Sequence, residues 1–133
     1  MPNISACKLI DIPKIIDHRG NLAVIEEGVL PYEFKRIYYL FDVPAGAFRG
    51  GHAHIEQQEF LIALSGSFDV ILKDKFGNEK AITLNNPSKG LLITTDIWRE
   101  LANFSSGSVC LVLSSGIFSE VDYIRDFEIF LKS

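Results

Sequence analysis

The sequence is poor in the features that mark cross-linked, membrane-spanning or nucleic-acid-binding proteins. Its only two cysteines, Cys7 and Cys110, have no metal-type spacing, and Cys110 lies in the apolar run VCLVL, so we expect neither a disulfide nor a thiolate cluster. No apolar run approaches the roughly 20 residues that span a bilayer, and no secretory signal pattern is present. The 13 basic residues are scattered among 17 acidic ones. We therefore expect a cytoplasmic protein that binds neither membranes nor nucleic acid.

The sequence also lacks internal repeats, low-complexity tracts and linker-like runs that would divide it. Its 133 residues are a typical length for one domain with a single core. We therefore predict one domain over residues 1–133.

Short apolar runs alternate with turn signals along most of the chain. Stretches of this kind, rich in Val, Ile, Tyr and Phe and bounded by Gly, Pro and Asn, are typical of strands: NLAVIEE, KRIYYLF, EFLIALSG, SFDVILKD, KAITL, LLITT and SVCLVLS. The segments DKFGNEK and LNNPSKG are the clearest turns or loops. About eight strands in so short a chain predict an all-β fold, a small jelly-roll barrel or sandwich. The tail SEVDYIRDFEIFLKS has helical spacing at Tyr123, Phe127 and Phe130, which predicts a short C-terminal helix packed outside the sheets.

The stretch RGGHAHIEQQEF carries the strongest chemical signal. On a strand, His52 and His54 point to the same face, because side chains two residues apart do so. Together with Gly46, Glu59 and Gly66 they complete the spacing G-x5-H-x-H-x4-E-x6-G. This spacing resembles the first sequence motif of the cupin superfamily, whose fold is a small jelly-roll barrel. An isolated histidine pair would instead be read as surface groups or as buried structural ones.

The histidines can hold a metal or move a proton. Many cupins that bind metal use a further histidine from a second motif, but no histidine follows His54, and Arg99 falls at or next to the expected place in GLLITTDIWRELANF. His52, His54 and Glu59 alone could form a facial triad. A guanidinium beside them stays cationic and repels a second cation. We therefore predict a site without metal, in which neutral imidazoles act as general acid and base.

Arginines and aromatic residues are the candidates for holding an anionic or polar substrate. Guanidinium groups form paired bonds to phosphate oxygens, and aromatic rings can cover a sugar or a base. We predict substrate contacts from Arg19, Arg36, Arg49, Trp98 and Arg99, with Tyr38 on the same strand face as Arg36.

Several unusual strings occur in a fixed order: DHRGNL, IEE, KRIYYLF, RGGHAH, GSFDVIL, IWREL, NFSSGSVCLVL and DYIRDF. In these strings the chain resembles the cupin-fold sugar-nucleotide 3,4-ketoisomerases, which act on dTDP-4-keto-6-deoxyglucose in the biosynthesis of 3-amino-3,6-dideoxyhexoses for bacterial surface glycans. The resemblance implies a proton transfer that needs no cofactor. One histidine would remove the C3 proton, an enediol would form, and reprotonation at C4 would leave a ketone at C3.

The resemblance also implies the roles of individual residues. It gives the catalytic roles to His52, His54 and Tyr38, and contacts to the pyrophosphate to Arg19 and Arg49. Tyr38 and the second imidazole would stabilise the enediolate oxygen. Glu59 stands where some relatives are expected to have glutamine, so its role stays open. The identity of the base and the configuration at C4 of the product also stay open.

Three other functions remain open from the residues. The chain could be a 3,5-epimerase, a dioxygenase-like metal cupin using His52, His54 and Glu59, or a sugar-binding module without catalysis. We also expect a homodimer, because small jelly rolls often pair through their sheets and the apolar segment ISACKLIDIPKII is suited to adding a strand to a neighbour.

Overall fold

The structure, a computed structural model, describes residues 2–133. Among these residues it has twelve strands, two short 3-10 turns and one helix. In chain order they are the turn Ile4–Ala6, β1 (Lys8–Asp11), β2 (Lys14–Ile15), β3 (Leu22–Ala23), β4 (Arg36–Leu40), β5 (Arg49–His54), β6 (Glu59–Ser65), β7 (Phe68–Lys73), β8 (Glu79–Leu84), β9 (Lys89–Ile93), β10 (Trp98–Ala102), β11 (Val109–Ser114), the turn Glu120–Asp122, β12 (Tyr123–Ile124) and α1 (Phe127–Lys132).

Ten of the strands form two five-stranded antiparallel sheets. The first sheet has the order β1-β9-β6-β11-β4, and the second has the order β12-β5-β10-β7-β8. The segment DKFGNEK contains the β7–β8 hairpin turn, and LNNPSKG carries the chain from β8 in the second sheet to β9 in the first. The remaining strands, β2 and β3, form a separate hairpin. This architecture confirms the prediction of an all-β jelly roll.

The core lies between the two sheets and follows the two-residue period of their strands. In β7, Phe68, Val70 and Leu72 are buried while the residues between them are partly exposed. They pack against inward side chains of the first sheet, including Leu61 and Val112. The alternation indicates that a one-residue slip of register would turn the whole apolar set outward.

The N-terminal segment is used inside its own chain. Strand β1 pairs with β9, with Lys8 opposite Leu92. Farther along, Ile12 and Leu30 pack with Phe60 and other outward residues of the first sheet in a second apolar cluster. Strand β1 lies at the edge of its sheet, so the expectation that this segment adds a strand to a neighbour stays a prediction.

The C-terminal tail is only partly helical. Tyr123 lies in β12, opposite His54 of β5, and α1 begins after Asp126, whose side chain accepts a hydrogen bond from Ile129 N. The helical spacing fails at Tyr123 because this part of the tail pairs with the edge of the second sheet. Phe127 and Phe130 of α1 pack on the outer face of that sheet, as predicted. No helix of the described chain is long and apolar enough to cross a membrane.

Replacing Phe130 by alanine should detach α1 from the sheet. Phe130 is fully buried, and deleting a buried phenylalanine ring costs about 3–5 kcal/mol of unfolding free energy. Ile129→Ala is the matched control on the same helix, because Ile129 is 61% exposed and its loss should stay within about 0.5 kcal/mol. Urea denaturation measures both variants, and equal losses would contradict this packing.

Candidate active site

A cavity of about 390 Å³ opens between the two sheets. Leucine and valine side chains of the core form part of its wall, and the remainder is rich in charged and aromatic groups. Its polar lining residues are Arg36, Tyr38, Arg49, His52, Glu59, Arg99, Tyr123 and Arg125. They come from strands of both sheets and from the tail. A concave apolar site with a few convergent polar groups is the usual form of a small-molecule site.

Two glycines in β5 set the direction of the histidines. Gly50 and Gly51 have φ angles of +80° and +69°, which side-chain-bearing residues adopt at a cost. The pairing of β5 with β10 shifts register here, because Arg99 lies opposite His52 while Glu100 lies opposite Gly50. A Cβ on Gly50 would lie 3.1 Å from the Arg99 carbonyl oxygen. This β-bulge therefore needs glycine, and it ends where the histidines begin.

The two histidines lie side by side but in different surroundings. Their ring centroids are 4.8 Å apart at an interplanar angle of 87°, and the Tyr123 ring lies 4.9 Å from His52 and 4.4 Å from His54. His52 lines the cavity, and Nε2 of both rings is buried without a hydrogen-bond partner among the described residues. His54 is fully buried behind it. Both rings face inward, but only His52 lines the cavity.

Glu59 joins the two sheets through its carboxylate. Its side chain comes from β6 of the first sheet and is 2% exposed. Arg99 Nη1 of the second sheet donates to Oε1 at 2.6 Å, and the Tyr38 hydroxyl donates to Oε2 at 2.6 Å. His54 Nε2 lies 3.5 Å from Oε1. Burial alone would raise the pKa of Glu59, but His54, Arg99 and Tyr38 outweigh it and hold that pKa well below its usual range.

The same contacts test whether the site fits a divalent metal. Ligand atoms of His52, His54 and Glu59 all lie within 4.8 Å of one another. Yet Arg99 and Tyr38 already bind the two oxygens of Glu59. A dication here would have to displace a guanidinium or lie beside it, at a large electrostatic cost. The donor set therefore does not fit a metal, and we derive no step through one.

The protonation of His52 follows from its surroundings. Burial, the Arg99 guanidinium and His54 together lower the pKa of His52 to about 3. Its ring is therefore neutral near pH 7, and one nitrogen is free to accept a proton. Burial and the nearby Glu59 raise the pKa of Tyr38 far above its ordinary value. Tyr38 thus keeps its hydroxyl hydrogen at every physiological pH.

Two of the predicted arginines line the cavity with no carboxylate partner among the described residues, although Arg36 Nη2 donates to Gln57 Oε1 at 3.3 Å. Arg36 lies on β4, with its guanidinium carbon 5.0 Å from the Tyr38 ring centroid and 5.6 Å from that of Phe118. Arg49 opens β5 and is exposed at the cavity. Both guanidinium groups are therefore available to an anionic ligand.

The other three predicted substrate contacts are not open to the cavity in this way, and their roles stay predictions. Arg99 reaches the cavity wall, but its Nη1 donates to Glu59 and its Nη2 to the Ile97 carbonyl, so its guanidinium serves the protein itself. Trp98 faces the opposite side of β10, where it packs on α1. Adjacent strand residues point to opposite faces, so Trp98 cannot join Arg99 in the cavity. Arg19 does not line the cavity either, because it is exposed on the β2–β3 hairpin loop and bonded to Asp17.

Sequence reasoning missed three residues of the tail. Tyr123 and Arg125 line the cavity, with the Arg125 guanidinium carbon 4.2 Å from the Tyr123 ring centroid. Asp122 is buried, with Oδ2 2.9 Å from His54 Nδ1. The string DYIRDF contains all three, but its reading as an amphipathic helix hid them. The string DYIR has no two-residue alternation, so the sequence carried no local signal for a strand here.

The fold and the site together define a cupin-type protein with a cavity built for proton transfer. The family model described as "FdtA: WxcM-like, C-terminal" matches residues 5–133. The chain therefore belongs to this family, whose curated and solved relatives are TDP-sugar 3,4-ketoisomerases, and it is an isomerase of that type.

The relatives match most of the chain. The TDP-4-oxo-6-deoxy-alpha-D-glucose-3,4-oxoisomerase of Aneurinibacillus thermoaerophilus is 44% identical over 94% of this chain and 90% of its own length. The sugar 3,4-ketoisomerase QdtA of Thermoanaerobacterium thermosaccharolyticum, solved with TDP, is 39% identical at a TM-score of 0.92, covering 95% of this chain and 92% of the other. A histidine-to-asparagine mutant of QdtA, solved with TDP-4-keto-6-deoxyglucose, is 38% identical at the same TM-score, covering 95% and 91% of the two chains.

The dTDP-4-dehydrorhamnose 3,5-epimerase of Bacillus anthracis is only 15% identical, at a TM-score of 0.80, covering 92% of this chain and 79% of the other. This likeness shows a shared fold alone. The 3,5-epimerase alternative therefore has much weaker support than the ketoisomerase assignment.

Replacing Glu59 by glutamine should destabilise the fold. The change leaves the buried Arg99 guanidinium without its counter-ion, which costs about 3–5 kcal/mol of unfolding free energy. Glu79→Gln is the control, because Glu79 pairs with Lys73 at 3.4 Å while 62% exposed and such a change should stay within about 0.5 kcal/mol. Chemical denaturation at pH 7 compares the two, and a Glu59→Gln loss as small as that of the control would refute the ion pair's structural role.

Proposed function

We propose that the chain converts dTDP-4-keto-6-deoxyglucose into a dTDP-3-keto-6-deoxyhexose, a precursor class for bacterial surface glycans. The observation that carries the proposal is the neutral His52 ring, with an unpartnered Nε2 in a cavity that also exposes guanidinium groups. The relatives support the substrate, since one is named for this reaction and another was solved with the 4-keto sugar nucleotide.

His52 is the proposed base. It removes the proton from C3, the C3–H electron pair forms a C3=C4 double bond, and the C4 carbonyl oxygen becomes an enediolate. A proton is then delivered to C4 while the C3 hydroxyl loses its hydrogen and becomes the ketone. The sugar is oxidised at C3 and reduced at C4 by the same electron pair. The reaction therefore balances without an external oxidant or reductant.

Tyr38 is the proposed donor to the enediolate oxygen. Its hydroxyl lines the cavity and stays protonated, and it donates to Glu59 when no substrate is bound. Turning this O–H toward the C4 oxygen would stabilise the charge that develops there. His54 does not line the cavity, so we no longer propose its direct contact with that oxygen.

The pyrophosphate is the proposed ligand of the cavity arginines. Arg36 of β4 and Arg49 of β5 line the cavity, and so does Arg125, whose guanidinium is bonded to the Glu120 carboxylate at 2.6 and 2.9 Å. Guanidinium groups recognise phosphate oxygens with paired hydrogen bonds. A dianionic diphosphate would balance the charges of Arg36 and Arg49 and orient the sugar toward His52.

Replacing His52 by asparagine should abolish turnover while the fold persists. Removing the base should lower kcat by at least about a hundredfold. His18→Asn is the control, because His18 is an exposed histidine outside the cavity. Proton NMR of the sugar nucleotide follows the conversion without added metal. Full activity of the His52→Asn variant would contradict the assignment of His52 as the base. A wild-type protein that leaves the sugar nucleotide unchanged would refute the proposed reaction.

Replacing Tyr38 by phenylalanine should lower kcat by about 10²–10³, the range observed when one donor to an oxyanion is removed. Tyr39→Phe is the matched control, since Tyr39 is the next residue of β4 and points outward at 58% exposure. The same NMR assay compares them. Equal activity of the two variants would show that the Tyr38 hydroxyl plays no part in the chemistry.

We also propose that two copies pair through the first sheet. Strand β4 lies at an open edge of that sheet, and its outward residues Ile37 and Tyr39, followed by Phe41, are all more than half exposed. None of these three side chains is charged, so a two-fold axis there would bring no like charges together. Ile37→Glu should therefore weaken the dimer. Sedimentation velocity at micromolar concentration tests this, and a monomeric wild-type protein would contradict it.

We further propose that the chain works as one cupin domain in the cytoplasm. Support for this location comes from Cys7 and Cys110, both free, as expected in a reducing compartment. Cell fractionation of a tagged full-length chain would test it, and recovery outside the cytoplasmic fraction would contradict it.

A further inference from the structure

Gln57 is a buried amide that the proposed reaction leaves without a role. It lies between β5 and β6, is 8% exposed and does not line the cavity. Its oxygen Oε1 accepts from Ser114 Oγ at 2.8 Å and from Arg36 Nη2 at 3.3 Å, and its Nε2 donates to the Ile117 carbonyl at 2.8 Å. One side chain thus joins β4, the end of β11 and the loop that follows β11.

The partners of the amide determine which way it points. With its oxygen and nitrogen exchanged, Nε2 would face the Arg36 guanidinium, which only donates, and Oε1 would face the Ile117 carbonyl, which only accepts. Both contacts would then be repulsive. The backbone N–H of Gln57 is also bonded, to Asp122 Oδ2 at 3.3 Å. The amide oxygen is therefore fixed on the side of Arg36.

The loop after β11 packs directly on this amide. A Cβ on Gly116 would lie 2.9 Å from Gln57 Cδ, so the loop backbone comes closer to the amide than a side chain would allow. The same loop carries Phe118, whose ring centroid lies 5.6 Å from the Arg36 guanidinium carbon. Through its bond to the Ile117 carbonyl, Gln57 therefore also holds the loop that places an aromatic ring against Arg36.

The Arg36 guanidinium is held in place but keeps its charge. Glu59, the carboxylate that lines the same cavity, is bonded to Arg99 and Tyr38 instead. The partner of Arg36 is the neutral oxygen of Gln57, which uses one of the five N–H donors of a guanidinium. The other donors and the positive charge stay available to a ligand in the cavity.

We propose that Gln57 is a positioning residue that holds the Arg36 guanidinium ready for the diphosphate of the substrate. A neutral acceptor suits this purpose, because it fixes the direction of the side chain and leaves its charge for the ligand. A long side chain that is already ordered loses less entropy when the ligand binds. The link to the diphosphate rests on the proposed function, whereas the ordering of Arg36 by Gln57 does not.

The ordering of Arg36 is measured without any ligand. ¹⁵N relaxation of the arginine-labelled full-length chain gives the order parameter of each Nε–H bond, and values near about 0.85 mark rigid groups while values below about 0.6 mark flexible ones. The chain has five arginines, and Arg36→Lys identifies the Arg36 signal by removing it. We expect Arg36 to be rigid in the wild-type chain and flexible in Gln57→Leu. Equal order parameters in the two chains would overturn the proposal.

Gln58→Leu is the matched control on the same loop. Gln58 is partly buried and does not line the cavity, and its side chain makes no hydrogen bond among the described residues, since its contact with Ser115 runs through the backbone. We expect this variant to keep both the order parameter of Arg36 and the affinity for a diphosphate. A loss equal to that of Gln57→Leu would contradict a specific role for Gln57.

Binding of TDP, a nucleoside diphosphate, tests whether Gln57 acts through Arg36. Isothermal titration calorimetry compares the wild-type chain, Gln57→Leu, Arg36→Ala and the double variant. We expect Gln57→Leu to weaken TDP binding about 2- to 10-fold, the factor for ordering one long side chain on binding. It should have no further effect once Arg36 is replaced by alanine. Equal weakening in both backgrounds would contradict the proposal, and so would an unchanged affinity in Gln57→Leu.

Gln57→Glu separates position from charge, and it keeps the proposal testable if Gln57→Leu does not fold. Its carboxylate keeps an acceptor for Arg36 and Ser114 but balances the Arg36 charge within the protein. We expect Arg36 to stay rigid while TDP binding weakens at least about tenfold, the factor for losing one hydrogen bond to a charged group. Wild-type affinity in this variant would contradict the use of Arg36 by the diphosphate.

Turnover distinguishes this proposal from the proposed function. The diphosphate is bound alike in the ground state and the transition state, so Gln57→Leu should raise KM while kcat changes less than threefold. A fall in kcat with an unchanged KM would contradict the positioning role. A chain that shows the expected effects on Arg36 and TDP but leaves the sugar nucleotide unchanged would count against the proposed reaction alone. A flexible Arg36 in a wild-type chain that converts the sugar would overturn the role of Gln57 alone.

Discussion

The Glu59 carboxylate, buried between the two sheets, is the interaction on which the rest of the site depends. Its oxygens bind Arg99 from the second sheet and Tyr38 from the first, and His54 lies beside it. A buried charge is tolerated only when it is paired and hydrogen-bonded. Glu59 therefore binds the Arg99 guanidinium and accepts the Tyr38 hydroxyl hydrogen. Because both of its oxygens accept these hydrogen bonds, neither is left open to a metal. His52, His54 and Glu59 thus have the spacing of a metal-binding motif, but their surroundings suit proton transfer.

The two sheets and the tail give the paired histidines unequal surroundings. The β5 bulge brings His52 to the cavity wall, while β12 closes over His54 with Tyr123 and Asp122. A strand that presents two identical side chains to one face would by itself make them equivalent. The tail breaks that equivalence, because it buries one ring and supplies its carboxylate partner.

The sequence was informative where a short pattern determines the structure. The two-residue period of SFDVILKD predicts β7 and its buried face, and the glycine and histidine spacing predicts that both rings point inward. It was misleading where partners are distant in the chain. No pattern near Arg99 indicates that its counter-ion, Glu59, lies forty residues earlier in the chain. The spacing of Tyr123 with Phe127 is helical, although Tyr123 belongs to a strand because it pairs with β5. Trp98 and Arg99 were assigned to one site, yet adjacent strand residues face opposite ways.

In the proposed reaction, His52 moves one proton within the sugar ring and leaves C5 untouched. The most direct measurement is turnover of sugar nucleotide carrying deuterium at C3 in one sample and at C5 in another, with the products read by NMR. We expect the label at C3 to be removed from that carbon as the 3-keto product forms, and the label at C5 to be fully retained. Loss of the C5 label, or a 3-keto product that does not form, would contradict it.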